Sequence, residues 1–124
     1  MTPLATAILA ELLATPKGLS AYALVKAISE KRGRTIAANS VYRALRRLEG
    51  EGRVHKIVSA NIYRALDDLS RQPICVSLCN VCGQIGAIPC REPGTRLKEL
   101  AEANGFKPEA LVIEIIGNCA ACQR

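Results

Sequence analysis

Two C-x-x-C pairs, Cys79-Asn80-Val81-Cys82 and Cys119-Ala120-Ala121-Cys122, constrain this chain more than any other feature. Each pair lets two thiolates approach one cation from a tight turn, and Gly83 relieves the backbone just after the first. Together they supply the ligands of a closed tetrahedral zinc site, structural in kind, with one ion per chain. The 36 residues between the pairs exceed the gap of a simple zinc ribbon, so the metal has to staple together segments distant in sequence. A thioredoxin-like redox motif fits less well. It prefers a single C-x-x-C opening a helix in a βαβ unit with Trp nearby, whereas this chain has two pairs and no Trp.

Charge is distributed in the opposite sense to sulfur. All six cysteines lie between Cys75 and Cys122, while Met1 to Arg64 carries 11 Lys/Arg against 4 Asp/Glu and the remainder carries 6 against 7. A basic, cysteine-free half followed by a near-neutral, cysteine-bearing half implies polyanion binding first and metal or redox chemistry second. With 49% hydrophobic residues in 124, the chain can bury a core and is not disordered. No apolar run approaches the roughly 18 residues of a membrane span, and no export signal is present. The expected compartment is the cytoplasm, where reduced thiols favour metal or redox chemistry over structural disulfides. No carboxylate pair, phosphate loop or nucleophile constellation points to an enzyme or to a small-molecule substrate.

The first half reads as three helices and a hairpin. Thr2 as N-cap and Pro3 at the first helical position open helix one, which Thr15-Pro16-Lys17-Gly18 breaks. Ser20 caps helix two, whose apolar residues Tyr22, Leu24, Val25 and Ile28 run up to Lys31-Arg32-Gly33. On helix three, from about Ala38 to Glu51, Val41, Ala44, Leu45 and Leu48 share one arc of the wheel at about 100° per residue. Asn39, Arg43 and Arg46 lie opposite, with Tyr42 and Arg47 on the flanks. Such a face suits the DNA major groove, where Arg pairs with guanine or phosphate and Asn with adenine. The alternative is a merely solvated amphipathic face. Val54 to Val58 and Asn61 to Arg64, around a turn at Ser59-Ala60, predict a wing on which Lys56 and Arg64 either approach phosphate or simply add solubilising charge.

The second half predicts a small β-β-α-β unit. Ile74 to Leu78 and the segment holding Ile85, Ala87 and Ile88 are strands, and Pro93-Gly94 leads into an amphipathic helix with Leu97, Leu100 and Ala101. Asn104-Gly105 stops that helix, and Leu111 to Ile116 forms the last strand. A unit this small needs support from metal and from a second copy, and a dimer would set two reading helices on a two-fold symmetric operator. The expected fold is therefore α+β. A winged helix-turn-helix DNA-binding domain occupies residues 1–67 and a small α/β dimerisation domain, with the four-cysteine zinc site, residues 68–124.

Ser40-Val41-Tyr42-Arg43-Ala44-Leu45, Leu48 and Gly52-Arg53-Val54-His55-Lys56 resemble the reading helix and first wing strand of the Fur family of metal-responsive repressors, its zinc uptake regulators above all. Thr2-Pro3, Leu19-Ser20-Ala21 and both C-x-x-C pairs extend the likeness over nearly the whole chain. The resemblance implies a DNA-binding repressor linked to zinc or other metal homeostasis, with Asn39, Ser40, Tyr42, Arg43, Arg46, Arg47, Lys56 and Arg64 at the DNA. It also implies structural zinc on Cys79, Cys82, Cys119 and Cys122 in a dimerisation domain. Leu4-Ala5 replaces the family's Gln-Arg, and the extra N-terminal helix of many members is absent, so weaker DNA affinity is expected.

Family members also carry a regulatory metal site of His-rich sequence before the first C-x-x-C, a Glu after it and a His on the wing. Here Gln72 to Leu78 holds no His and Ala87 stands at the Glu position. His55, the one His of the chain, and Cys75 match or approach ligand positions, with Asp67, Asp68 and Cys90 as further candidates. The alternatives are an ordinary wing His and a small buried Cys, or redox control by a Cys75/Cys90 pair. The expectation is a regulator with a reduced or absent regulatory site. Its rivals are a constitutive, non-sensing module and, further off, a thiol redox protein.

Overall fold

Thr2 and Ser20 start the first two helices as their side chains predict. Thr2 Oγ1 accepts from the Ala5 N–H at 3.1 Å and Pro3 takes the first position of α1, Pro3–Leu13. Ser20 Oγ accepts from the Ala23 N–H at 3.0 Å to open α2, Ala21–Arg32, and Gly33 ends it with a left-handed φ of 66°. The third helix, α3, spans Ala38–Gly50, followed by β1, Val54–Ile57, and β2, Ile62–Ala65, which pair antiparallel. The structure, a computed structural model, describes residues 1–66 and 74–123. Chain contacts divide it into two units, Met1–Asp68 and Leu69–Arg124.

The first unit is a winged helix. Ile8 and Leu12 of α1, Leu24 and Ile28 of α2 and Val41, Leu45 and Leu48 of α3 meet in its core. Each such side chain contributes about 1.5–3 kcal/mol on leaving water. An ion pair between Lys31 and Glu11 links α1 to α2. The hairpin turn differs from a two-residue turn at Ser59-Ala60. A single 3-10 turn, Val58–Ala60, ends at Asn61, which takes a left-handed φ of 53°. Asn tolerates that region better than most residues.

The wing is tied to the α1–α2 connection by two reciprocal backbone bonds, Leu19 N–H to Tyr63 O at 2.9 Å and Tyr63 N–H to Leu19 O at 2.8 Å. Gly18 makes this approach feasible. Its φ is +80°, and a Cβ there would lie 2.7 Å from the Tyr63 carbonyl oxygen.

In the second unit β3, Ile74–Cys79, is the central strand, with β4, Ile85–Pro89, antiparallel on one side and β5, Glu114–Gly117, parallel on the other. Between β4 and β5 runs α4, Arg91–Ala103. It starts two residues before Pro93, because a proline in the first turn removes only an N–H that the helix leaves unpaired. The last strand begins at Glu114 rather than Leu111. Leu111 instead packs on the first turn of α4, where its Cδ2 would lie 3.2 Å from a Cβ on Gly94. Leu97 and Leu100, expected to bury the apolar face of α4, are 44% and 61% exposed.

Gly18→Ala is expected to destabilise the protein by about 1–3 kcal/mol, through the strained φ and the clash with Tyr63 O. Urea unfolding followed by helical circular dichroism checks this, and an unchanged midpoint would contradict it.

Candidate metal centre and nucleic-acid interface

The parallel register of β3 and β5 assembles the metal centre. Cys79, the last residue of β3, pairs with Gly117, the last of β5, so the two C-x-x-C turns emerge side by side. The Asn80 N–H bonds to Gly117 O at 2.9 Å and extends this join by one residue. In the first turn the Gly83 N–H bonds back to Cys79 O at 2.9 Å, with Gly83 at φ +78°. In the second, Cys119 caps a 3-10 turn and the Cys122 N–H bonds to Cys119 O at 2.9 Å. Nothing in the composition or spacing reveals the pairing of Cys79 with Gly117; the one hint is that a β-branched run ends at Gly117.

All four sulfurs lie within 4.8 Å of one another, and Cys82 Sγ and Cys119 Sγ are 3.7 Å apart. Sulfurs bound tetrahedrally to zinc at about 2.3 Å stand about 3.8 Å from each other. The donor set and its dimensions therefore fit one zinc ion. Among the described residues this is the one group of three or more metal-ligating side chains. Backbone N–H groups of Cys82, Cys119 and Val81 hold the Cys79 thiol down to about 6, favouring its thiolate. Cys122, which hydrogen-bonds Cys119 and Cys79, is pushed up to about 12, so the metal-free cluster keeps protons that binding a cation would release.

On α3, Val41, Leu45 and Leu48 are buried while Asn39, Tyr42, Arg43, Arg46 and Arg47 are exposed. Asn39, Arg43 and Arg46 recur at helical spacing on the side away from the core. Ser40, half-buried, joins Arg43 and Arg47 along a groove against Thr2, Leu4 and Ala5 of the α1 start. Wing positions are less free than the sequence suggests. Lys56 Nζ sits 5.7 Å from the centroid of the Tyr63 ring, its cross-strand partner. Arg64 is half-buried opposite His55, and its Nη1 is shielded from solvent with no hydrogen-bond partner among the described residues.

The remaining sequence candidates fall in different places. His55 is a half-buried residue of β1 in the first unit. Cys75 and Cys90 are buried in the second unit, where burial first and then the neighbouring Cys75 raise the Cys90 thiol pKa. Asp67 and Asp68 lie outside the described residues. Ala87 is an exposed residue of β4.

A helix with an exposed cationic face, a wing and a four-thiol centre thus follow one another along the chain, and the profile of the ferric uptake regulator family matches residues 1–116. The chain belongs to this family. Zinc-linked members are among the proteins it is similar to. The zinc uptake regulation protein of Escherichia coli (strain K12) is 37% identical over 107 residues, which cover 84% of this chain and 61% of that protein. The chain therefore spans 61% of the length of the curated relatives it matches. A solved zinc uptake regulator complexed with zinc and DNA is 31% identical, with a TM-score of 0.87 over 98% of this chain and 81% of that one. Holo XcZur is 30% identical, with a TM-score of 0.86 over 98% of this chain and 84% of that one.

Cobalt(II) titration tests the metal centre of this family member. The expected outcome is saturation at one equivalent, with intense thiolate-to-cobalt charge-transfer absorption, and loss of that signal in Cys79→Ser or Cys119→Ser. An unaltered spectrum in either variant would show that the other sulfurs suffice and the four-thiolate assignment is wrong.

Proposed function

We propose that this protein is a homodimeric, DNA-binding transcriptional repressor of the cytoplasm, acting in zinc or other metal homeostasis through binding rather than catalysis. The observation that carries the reading is α3. One helix buries Val41, Leu45 and Leu48 and turns Asn39, Tyr42, Arg43, Arg46 and Arg47 to solvent. A cationic, hydrogen-bonding face on a helix anchored by its other side is what major-groove reading requires. Arg43 and Arg46 would bond bases or phosphates, and Ser40, Lys56 and Arg64 would contact backbone. The zinc- and DNA-bound relative supports this assignment.

Structural zinc on Cys79, Cys82, Cys119 and Cys122 holds the second unit together in this reading. A second copy covers what the unit leaves open. Ile88, Leu97, Leu100, Phe106, Ile115 and Ile116 are all exposed there, an amount of apolar surface that favours association.

The second, regulatory metal site is reduced or absent. Ala87 stands where the family resemblance places a Glu, and the set His55, Cys75, Asp67, Asp68 and Cys90 offers a single imidazole. Among the described residues no group of three metal-ligating side chains includes Cys75 or Cys90, which favours a constitutive regulator over a metal-switched one.

Mobility shifts on operator DNA across salt concentrations test the reader. Arg43→Ala is expected to lower affinity by about 5- to 150-fold and relax base preference, whereas Lys56→Ala weakens all sequences alike and lowers the salt slope by about one. Unchanged affinity in a folded Arg43→Ala protein would reject α3 as the reader. With the cysteine centre filled, affinity is expected to stay flat as free zinc rises. A zinc-dependent gain abolished by His55→Ala or Cys75→Ser would instead establish a working sensor.

A further inference from the structure

Two of the six cysteines are left over by the four-thiol centre. Cys75 is the second residue of β3, and Cys90 is the first residue after β4 and the N-cap of α4. The antiparallel register pairs Cys75 with Ile88, which puts Cys90, two positions further on, at the diagonal from Cys75. Both side chains are buried, at 7% and 4% exposed, both are free thiols, and the Cys75 thiol is the neighbouring group that acts on Cys90. Cys90 makes no side-chain cap to α4, whose first turn is closed instead by the Gly94 N–H on Cys90 O at 2.8 Å. Its sulfur is therefore not engaged in capping the helix. Among the described residues no third metal-ligating side chain joins them.

We propose that Cys75 and Cys90 are a reversible dithiol–disulfide pair, oxidised by hydroperoxides independently of the four-cysteine centre. In the first step one thiolate attacks the peroxide O–O bond, giving a sulfenic acid and releasing an alcohol, or water from hydrogen peroxide. In the second the other sulfur attacks the sulfenic sulfur, the S–S bond forms, and hydroxide leaves with the remaining thiol proton as water. Two electrons pass from the sulfurs to the O–O bond, and the two thiol hydrogens end on the two oxygens. Burial and the neighbouring Cys75 push the Cys90 thiol up, which disfavours it as the first attacker. The bond would tie the central strand to the start of α4 across a loop containing β4 and the first C-x-x-C turn.

The test uses the full-length, zinc-loaded protein, treated with hydrogen peroxide, alkylated under denaturing conditions and digested. Trypsin alone leaves four cysteines in one peptide, Gln72 to Arg91, and chymotryptic cleavage after Leu78 separates Cys75 from the other three. The expected product is Gln72–Leu78 disulfide-linked to Cys79–Arg91, with Cys79 and Cys82 alkylated, zinc retained and the link lost on treatment with dithiothreitol. In Cys90→Ala the link should vanish and a dimedone-trappable sulfenic acid appear at Cys75. Alkylation of both Cys75 and Cys90 alongside oxidation of the zinc cysteines and metal release would overturn the proposal. So would a link that persists in Cys90→Ala.

Discussion

The parallel pairing of β3 with β5, closed by the metal across Cys79, Cys82, Cys119 and Cys122, is the constraint on which the second unit depends. Outside its cysteines, Val76 is the one fully buried aliphatic side chain of that unit among the described residues. A three-stranded sheet and one helix with so little apolar burial cannot offset the conformational entropy of ordering the chain. A thiolate-bound cation can, because its binding energy becomes folding energy and because it closes a loop that the sheet alone would hold weakly. The apolar side chains left exposed on α4 and β5 then become an asset, since they are available to a second copy rather than consumed by an internal core.

The first unit is built on the opposite principle. Its helices bury Ile8, Leu12, Leu24, Ile28, Val41, Leu45 and Leu48 together and need no metal. Because α3 is anchored by one complete stripe, its other side can carry several guanidinium groups without a cost in packing. The uneven distribution of charge and sulfur along the chain is thus the one-dimensional trace of two separate solutions to folding. Packing holds the cationic helix, and metal holds the sheet of the second unit.

Much of this was legible in the sequence because the signals were local. Thr2-Pro3 and Ser20 act within one helical turn, the α3 stripe is a matter of angle on a wheel, and each C-x-x-C is a single turn. What eluded sequence reasoning is set by contacts between distant residues. Leu111 looks like strand, yet packing against Gly94 claims it for α4. Pro93-Gly94 looks like a helix start, yet the helix opens at Arg91 because a first turn accommodates proline. Lys56 and Arg64 look like free wing cations, yet register sets one over Tyr63 and folds the other partly inward. The sequence offers Cys75 and Cys90 as a pair only as one alternative, because the β3–β4 register that sets Cys90 at the diagonal from Cys75 is a long-range contact.

Zinc K-edge X-ray absorption on protein purified without added metal tests the central claim most directly. The account predicts one zinc per chain with a first shell of four sulfurs at about 2.3 Å. A shell in which nitrogen or oxygen replaces any of those sulfurs, or protein that is folded and free of zinc, would contradict it.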